Sequence, residues 1–235
     1  CLDASTGERI WHFQAVHHGL WDYDFCSGPN LLDIEYEGDV TPVVAQVSKQ
    51  GFCYVFNRKT GTPIWPIEEK AVLQSDVEGE ETAPTQPFPT KPPAFERQTI
   101  FEDDLIDFTP ELRAAAIETL RDYRHGPLFL PPSVPNQGGK KGSLILPGPG
   151  GGANWSGSAV HPLTGTLYVP SFTRPTLLNL LPPDSKEQSS FHFNIKYGAV
   201  PGPQGLPLIK PPYSRVTAID LNRGELAWQI PHGTG

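Results

Sequence analysis

Two short runs give the first structural signal in this chain. FCYVF (52–56) and SRVTAI (214–219) are dense in β-branched and aromatic residues, which suit a packed, pleated surface, and both predict strands. A common unit leads on from each run and recurs at the start of the chain. Residues 2–11 read LDASTGERIW, 56–65 read FNRKTGTPIW and 219–228 read IDLNRGELAW. Each closes on Gly-x-x-x-Trp, as Gly7 to Trp11, Gly61 to Trp65 and Gly224 to Trp228. A weaker copy, VHPLTGTLYV at 160–169, carries Tyr168 near the Trp place. The physical unit is a strand ending at Asp3, Asn57 or Asp220, a Gly that permits a positive-φ turn, and a returning strand that buries a Trp. Three close copies and one weak copy predict a repetitive antiparallel β architecture, with radial blades as the obvious form.

Between the second and third copies the pattern breaks. Residues 66–100 are acidic and Pro-rich, including EGEETAPTQPFPTKPPAF, and predict an irregular surface excursion. A helix signal comes next. Thr109 suits the N-cap, Pro110 the first helical position, and Glu111 the positive end of the helix dipole. Leu112, Ala116, Ile117 and Leu120 then form one apolar face. This helix reads as a decoration on the β body, so 66–147 is taken as a Pro-rich and helical insertion into one domain that spans 1–235. Residues 172–213 read as loop, apart from strand alternation in SFHFNIKY (190–197).

Composition narrows the class. Gly 23 and Pro 27 make about a fifth of the 235 residues, too turn-rich for a helical bundle and without a collagen period. The net charge of −8 and the lack of a basic stripe argue against a nucleic-acid partner. No apolar run reaches the roughly 18 residues that cross a bilayer. Cys1, Cys26 and Cys53 stand apart, which excludes a zinc ribbon and a c-type haem site. Cys26 and Cys53 could pair in an oxidising compartment, although buried free thiols are favoured. With no Met, and an opening inside a repeat, the chain is expected to be a piece of a longer protein.

Candidate chemistry concentrates in WHFQAVHHGLWDYD (11–24), which sets three His and two Asp among four aromatic residues. Such a mixture suits the floor of a site, with Asp22 as its base and Asp24 as the second choice. His17 and His18, if on a strand, would face opposite sides, so only one could line the site. Downstream, SKQG presents Lys49, and PGPGGGANWSG (147–157) presents Asn154 and Trp155 from a Gly-rich loop. No Lys or helix follows that loop, so it is not a P-loop. Its glycines allow a backbone to approach a ligand or a neighbouring strand. Each residue also has a plain structural reading: a strand-end acid, a solvated turn lysine, a turn-stabilising Asn.

Taken together, the Trp-ending repeats, WHFQAVHHGLWDYD, SKQGFCYVFNRKTG and the GGGANW loop resemble the pyrroloquinoline quinone (PQQ)-dependent glucose and alcohol dehydrogenases over nearly the whole chain. A Lys in SKQG, where methanol dehydrogenases carry Arg, looks closer to the membrane-bound glucose dehydrogenase branch. The resemblance implies an all-β, eight-bladed β-propeller of which this chain supplies part, with Trp motifs packing blade on blade. A piece with open blade edges is expected to be poorly stable and inactive alone.

The same resemblance implies roles residue by residue. Asp22 matches the catalytic aspartate that takes the proton of a sugar or alcohol hydroxyl as hydride passes to the quinone. Lys49 matches the cation beside the quinone oxygens, Asn154 an amide at the cofactor edge, and Trp155 its neighbour. PQQ and Ca²⁺ or Mg²⁺ are the implied cofactors, the metal ligands and the ring-stacking Trp lying outside this chain. Implied partners are the substrate, a quinone or cytochrome electron acceptor, and the remaining blades. The implied location is the periplasm, attached to the inner membrane through other parts of the protein. The alternative is a non-catalytic Trp-repeat propeller acting as a scaffold in the bacterial envelope. A carbohydrate-binding β module would account for the aromatics but not for the repeat spacing.

Overall fold

All four repeat glycines close the same turn. Gly7, Gly61, Gly165 and Gly224 have φ between 66° and 77°. Each donates its N–H to the carbonyl four residues back, on Asp3, Asn57, His161 and Asp220, at 2.8–3.0 Å. At Asp3 and Asn57 the side-chain Oδ1 also accepts from two backbone N–H groups inside the turn. These residue types are therefore fixed by local hydrogen bonding.

The computed structural model describes residues 1–183 and 190–233. In chain order the strands are β1 (Asn30–Tyr36), β2 (Asp39–Val47), β3 (Cys53–Asn57), β4 (Ile67–Ala71) and β5 (Thr85–Pro89). Helix α1 (Pro110–Arg121) follows, then β6 (Arg124–His125), β7 (Ser143–Ile145), β8 (Ala159–His161) and β9 (Thr166–Phe172). The chain ends with β10 (Thr176–Leu181), β11 (Asn194–Gly198), β12 (Ser214–Asp220) and β13 (Glu225–Pro231). They form an antiparallel sheet β1-β2-β3, a ribbon β4-β5, and two four-stranded sheets, β11-β10-β7-β6 and β13-β12-β9-β8. All pairings are antiparallel except β6 with β7.

Strand β3 and the later half of β2 are buried on both faces, which is why FCYVF lacks a polar alternation, whereas β1 keeps one face exposed. Val43, Ala45, Val47, Cys53 and Val55 cluster with Leu167, Val169 and Ile219 of the β13-β12-β9-β8 sheet and with Leu221 just past β12. On the opposite face Val44, Phe52, Tyr54 and Phe56 meet Trp21, Tyr23 and Phe129. The two-residue period of a strand divides the residues between those clusters.

Tryptophans of successive repeats dock on glycines of the next. A Cβ on Gly61 would lie 2.6 Å from the Trp11 ring, and one on Gly224 would lie 2.8 Å from Trp65. Trp228, in the last copy, touches Tyr168 at 5.9 Å between ring centroids and stays 44% exposed. Gly7 has the same positive φ as Gly61 but open space around it. Gly7→Ala is therefore expected to cost about 1–2 kcal/mol for the left-handed backbone alone. Gly61→Ala adds the clash with Trp11 and should cost about 2–4 kcal/mol. Denaturant midpoints of the two variants check the difference; equal losses would show that Trp11 does not press on Gly61.

Helix α1 forms where the capping signals predict it. The Thr109 hydroxyl accepts from the Leu112 N–H at 3.2 Å, Pro110 opens the helix, and Leu112, Ala116 and Leu120 are buried. Two other readings change. The segment 66–100 holds the β4-β5 ribbon and buries Phe95 and Ile100 in its later part. Pro87 and Pro89 fit within β5 because the ribbon has only two strands, leaving one edge of β5 without a ladder partner. Residues 176–181, read as loop, form β10, whose Leu178 and Leu180 are buried. Strand β11 does fall within the SFHFNIKY stretch and extends one residue past it. All three cysteines are free thiols. Among the described residues no helix is long and apolar enough to cross a membrane.

Candidate functional site

The segment 11–24 is not a strand, yet its last residues alternate. Trp21 is fully buried and donates its indole N–H to the Leu130 carbonyl at 2.7 Å. Tyr23, also buried, donates its hydroxyl to the Pro147 carbonyl at 2.5 Å. Both rings pack edge-on against Phe129. Pinning these two aromatics leaves Asp22 and Asp24 on the opposite side. Asp22 takes φ 61°, a left-handed conformation that Asp tolerates better than most residues. His17 and His18 point to separate partners, Glu69 at 2.9 Å and Glu80 at 3.7 Å, and neither pairs with Asp22.

Opposite the two aspartates stands Lys49. Its turn is closed by Ser48, whose N–H and hydroxyl both donate to the Phe52 carbonyl, at 2.9 and 3.0 Å. The Lys49 side chain is only 7% exposed, and its Nζ lies 2.5 Å from Asp24 Oδ1 and 3.2 Å from Asp22 Oδ2. Burial works against its charge, but hydrogen bonds to Asp24 and Asp22 outweigh burial and hold its pKa above the usual lysine value. For Asp24, burial is again the largest influence and raises its pKa; the Lys49 bond and charge bring the net value below the usual carboxylate range. The lysine thus leans on Asp24, leaving Asp22 with the longer contact and a side chain 52% exposed.

The Gly-rich loop closes over this group. Gly152 donates its N–H to the Lys49 carbonyl at 2.8 Å. A Cβ on Gly151 would come within 2.5 Å of Lys49 Cγ, so only glycine lets the loop lie on the lysine stem. Asn154 turns back into its own loop: its Nδ2 donates to the Gly150 carbonyl at 2.7 Å and its Oδ1 accepts from the Trp155 N–H at 2.8 Å. Trp155 projects outward and is 83% exposed. Asp22 and Lys49 are therefore brought together, while Asn154 and Trp155 belong to the loop that covers Lys49. Among the described residues, no group of three or more His, Cys, Asp or Glu side chains is arranged to hold a metal.

Two features beneath the site went unread in the sequence. Glu96 is buried where Gly51 meets Gly152; a Cβ on either glycine would lie 3.0 Å from the Glu96 Cβ. Its carboxylate accepts from the hydroxyls of Ser171 at 2.7 Å and Thr173 at 2.6 Å and pairs with buried Arg215. Glu96 has no local signal, but Arg215 does: it shares the inward face of β12 with Thr217 and Ile219. The second feature is Tyr197, whose hydroxyl is held above its usual pKa by burial and then by the charge of Asp22, with Lys49 opposing.

A buried charge stripped of its partner is costly. Glu96→Gln is expected to lower stability by about 3 kcal/mol by leaving Arg215 uncompensated, and a Glu96→Met/Arg215→Met double variant should recover most of it. Denaturant unfolding of both checks this; a double variant as unstable as the single one would show that packing, not charge, sets the cost.

This geometry can be set beside known proteins. The β-propeller domain of glucose/ethanol/alcohol dehydrogenases (PQQ) matches residues 1–235. A probable quinate dehydrogenase (quinone) from Xanthomonas campestris pv. juglandis is 31% identical, over 99% of this chain and 31% of its own length. The quinate/shikimate dehydrogenase (quinone) of Acinetobacter baylyi is 32% identical, over 99% of this chain and 30% of its own length. The chain thus spans about a third of the length of the curated relatives it matches. A solved quinohemoprotein alcohol dehydrogenase, ADHIIG from Pseudomonas putida, shares the fold at a TM-score of 0.58 and 22% identity, covering 98% of this chain and 28% of that one. By its match from end to end, the chain belongs to the PQQ-dependent glucose/ethanol/alcohol dehydrogenase β-propeller family.

Proposed function

We propose that this chain carries the base and the cationic cofactor contact of a PQQ-dependent dehydrogenase that oxidises a CH–OH group on a sugar or other small alcohol. The observation that carries the reading is the buried Lys49 stem, which presents its ammonium between Asp22 and Asp24 beneath a loop that only glycine allows. A cation fixed beside a solvent-reachable carboxylate is the donor set that a reducible quinone and an alcohol require. Bound PQQ supplies the two-electron acceptor for hydride.

The chain's own residues do the rest. Asp22, the more weakly held of the two carboxylates, accepts the proton of the substrate hydroxyl, because hydride leaves carbon at low cost only as the oxygen gives up its proton. Lys49 presents a fixed positive charge where electron density arrives on the quinone oxygens, and Asp24 orients it. Asn154 and Trp155, on the loop over Lys49, are assigned to the cofactor edge. The Ca²⁺ or Mg²⁺ site is assigned to residues outside this chain. So are contacts to a quinone or cytochrome electron acceptor and attachment to the inner membrane from the periplasm. The other blades of an eight-bladed ring complete the structure in this reading, and the chain alone is expected to be inactive.

The test uses the full-length protein loaded with PQQ and Ca²⁺ or Mg²⁺. Dye-linked oxidation is recorded over a panel of sugars, polyols and simple alcohols. Turnover that requires PQQ supports the reading. Absence of turnover and of PQQ uptake under both metals would leave the envelope scaffold as the better account.

A further inference from the structure

Beside the Asp22–Lys49 group lies a cavity of about 850 Å³. Its walls come from the Gly148–Gly151 loop, the Phe172–Thr176 segment that joins β9 to β10, the Tyr197–Val200 segment, the Pro207–Ile209 segment, and Tyr213. Gly151 belongs to this wall and also lies against the Lys49 stem, so the cavity and the lysine are separated by one glycine. Tyr197 lines the same cavity and feels the charges of Asp22 and Lys49.

Among the described residues the lining is apolar or glycine apart from four hydroxyl residues and one ion. Thr173 gives its hydroxyl to Glu96, and Thr176 bonds the Arg174 carbonyl at 3.4 Å. Tyr197 and Tyr213 are the phenols of the wall. Arg174 supplies the only charged side chain among the described residues of the lining. Among the described residues the exposed Arg174 guanidinium has no hydrogen-bond or ion-pair partner, a state it shares with Arg9, outside this cavity in the first repeat, whereas Arg58, Arg97, Arg113, Arg121, Arg124, Arg215 and Arg223 each pair with a carboxylate. Lys49 is already met by two aspartates, so among the described residues Arg174 is the positive charge that this cavity wall offers a ligand.

We propose that Arg174 anchors the carboxylate of a hydroxy-acid substrate in this cavity, with a ring or short carbon chain on its apolar wall and a hydroxyl reaching Asp22. The proposal rests on the dehydrogenase reading above and specifies its substrate class. A guanidinium fork matches a carboxylate with two parallel charge-assisted hydrogen bonds, and no neutral polyol can replace that pairing. The apolar lining suits the hydrocarbon part of such an acid, and the two phenols suit its remaining hydroxyls.

The experiment uses the full-length, PQQ- and metal-loaded protein and an Arg174→Gln variant. Acids are compared with neutral counterparts: gluconate with glucitol, glycerate with glycerol, and 3-hydroxycyclohexanecarboxylate with its methyl ester. PQQ affinity is measured alongside by equilibrium dialysis. The wild type should prefer at least one acid over its counterpart. The variant should lose about 10- to 100-fold in kcat/KM for that acid, with the counterpart and PQQ affinity within about twofold of wild type. Equal losses for acid and neutral substrate would overturn the proposal. So would weakened PQQ binding, which would assign Arg174 to the cofactor's own carboxylates. A wild type that takes up PQQ but prefers no acid removes the carboxylate site alone; one that takes up no PQQ removes the dehydrogenase reading with it.

Discussion

Asp22→Asn in the full-length, PQQ-loaded protein is expected to lower kcat by about 10³-fold while leaving PQQ affinity unchanged. The size follows from losing a positioned general base, which contributes about 10²–10⁴-fold. Asn is the informative replacement. It keeps the shape of Asp, accepts from Lys49 through its carbonyl oxygen, and tolerates the φ of 61° that this position requires. Fold and cofactor contact should therefore survive while the proton acceptor is removed. Because Asp22 is half exposed and Lys49 keeps its shorter contact to Asp24, little stability rests on the Asp22–Lys49 pair. Activity of the variant within about tenfold of wild type would move the base elsewhere, and Asp24 is then the next residue to replace.

Lys49→Met is expected to weaken PQQ binding by about 10²-fold, the effect of losing charge-assisted hydrogen bonds from a fixed cation. Met retains an apolar stem under Gly151, so loss of charge is read separately from loss of packing. Lys49→Arg should recover part of the affinity, limited by the space that Gly151 leaves beside the stem. The pH dependence has a definite sign. The Lys49 pKa is raised in the folded protein, so its charge persists as pH rises through the ordinary lysine range and is lost only above it. PQQ binding that depends on this charge should hold over the same window. A spectrophotometric PQQ titration across pH reads both effects, and unchanged binding by Lys49→Met would remove the residue from the cofactor contact.

What could be read from the sequence was local. The Asp/Asn-to-Gly turn recurs within a few residues and is closed by hydrogen bonds inside that span, so its chemistry appears directly in the letters. The start of α1 is likewise written at Thr109 and Pro110. In the site, the family resemblance pointed to Asp22 and Lys49, and the fold sets the two side chains 3.2 Å apart. Features that depend on distant partners were not visible. Glu96 gains meaning only from Ser171, Thr173 and Arg215, the last of them 119 positions away. Strand β10 is set between Pro175 and Pro182, which read as loop punctuation, yet pairing with β7 and β11 determines its structure. The alternation that exposes Asp22 is legible only after Trp21 and Tyr23 have found the carbonyls of Leu130 and Pro147. Tertiary contacts of that kind override local pattern.

The central claim is that this chain presents one half of a quinone site. Equilibrium titration of the full-length protein with PQQ, in Ca²⁺ and then in Mg²⁺, tests it most directly when Lys49→Met is run beside the wild type. Saturable binding of one PQQ per chain in at least one metal, weakened about 10²-fold in the variant, is the expected result. Absence of binding in both metals, or equal binding by wild type and variant, would contradict the account.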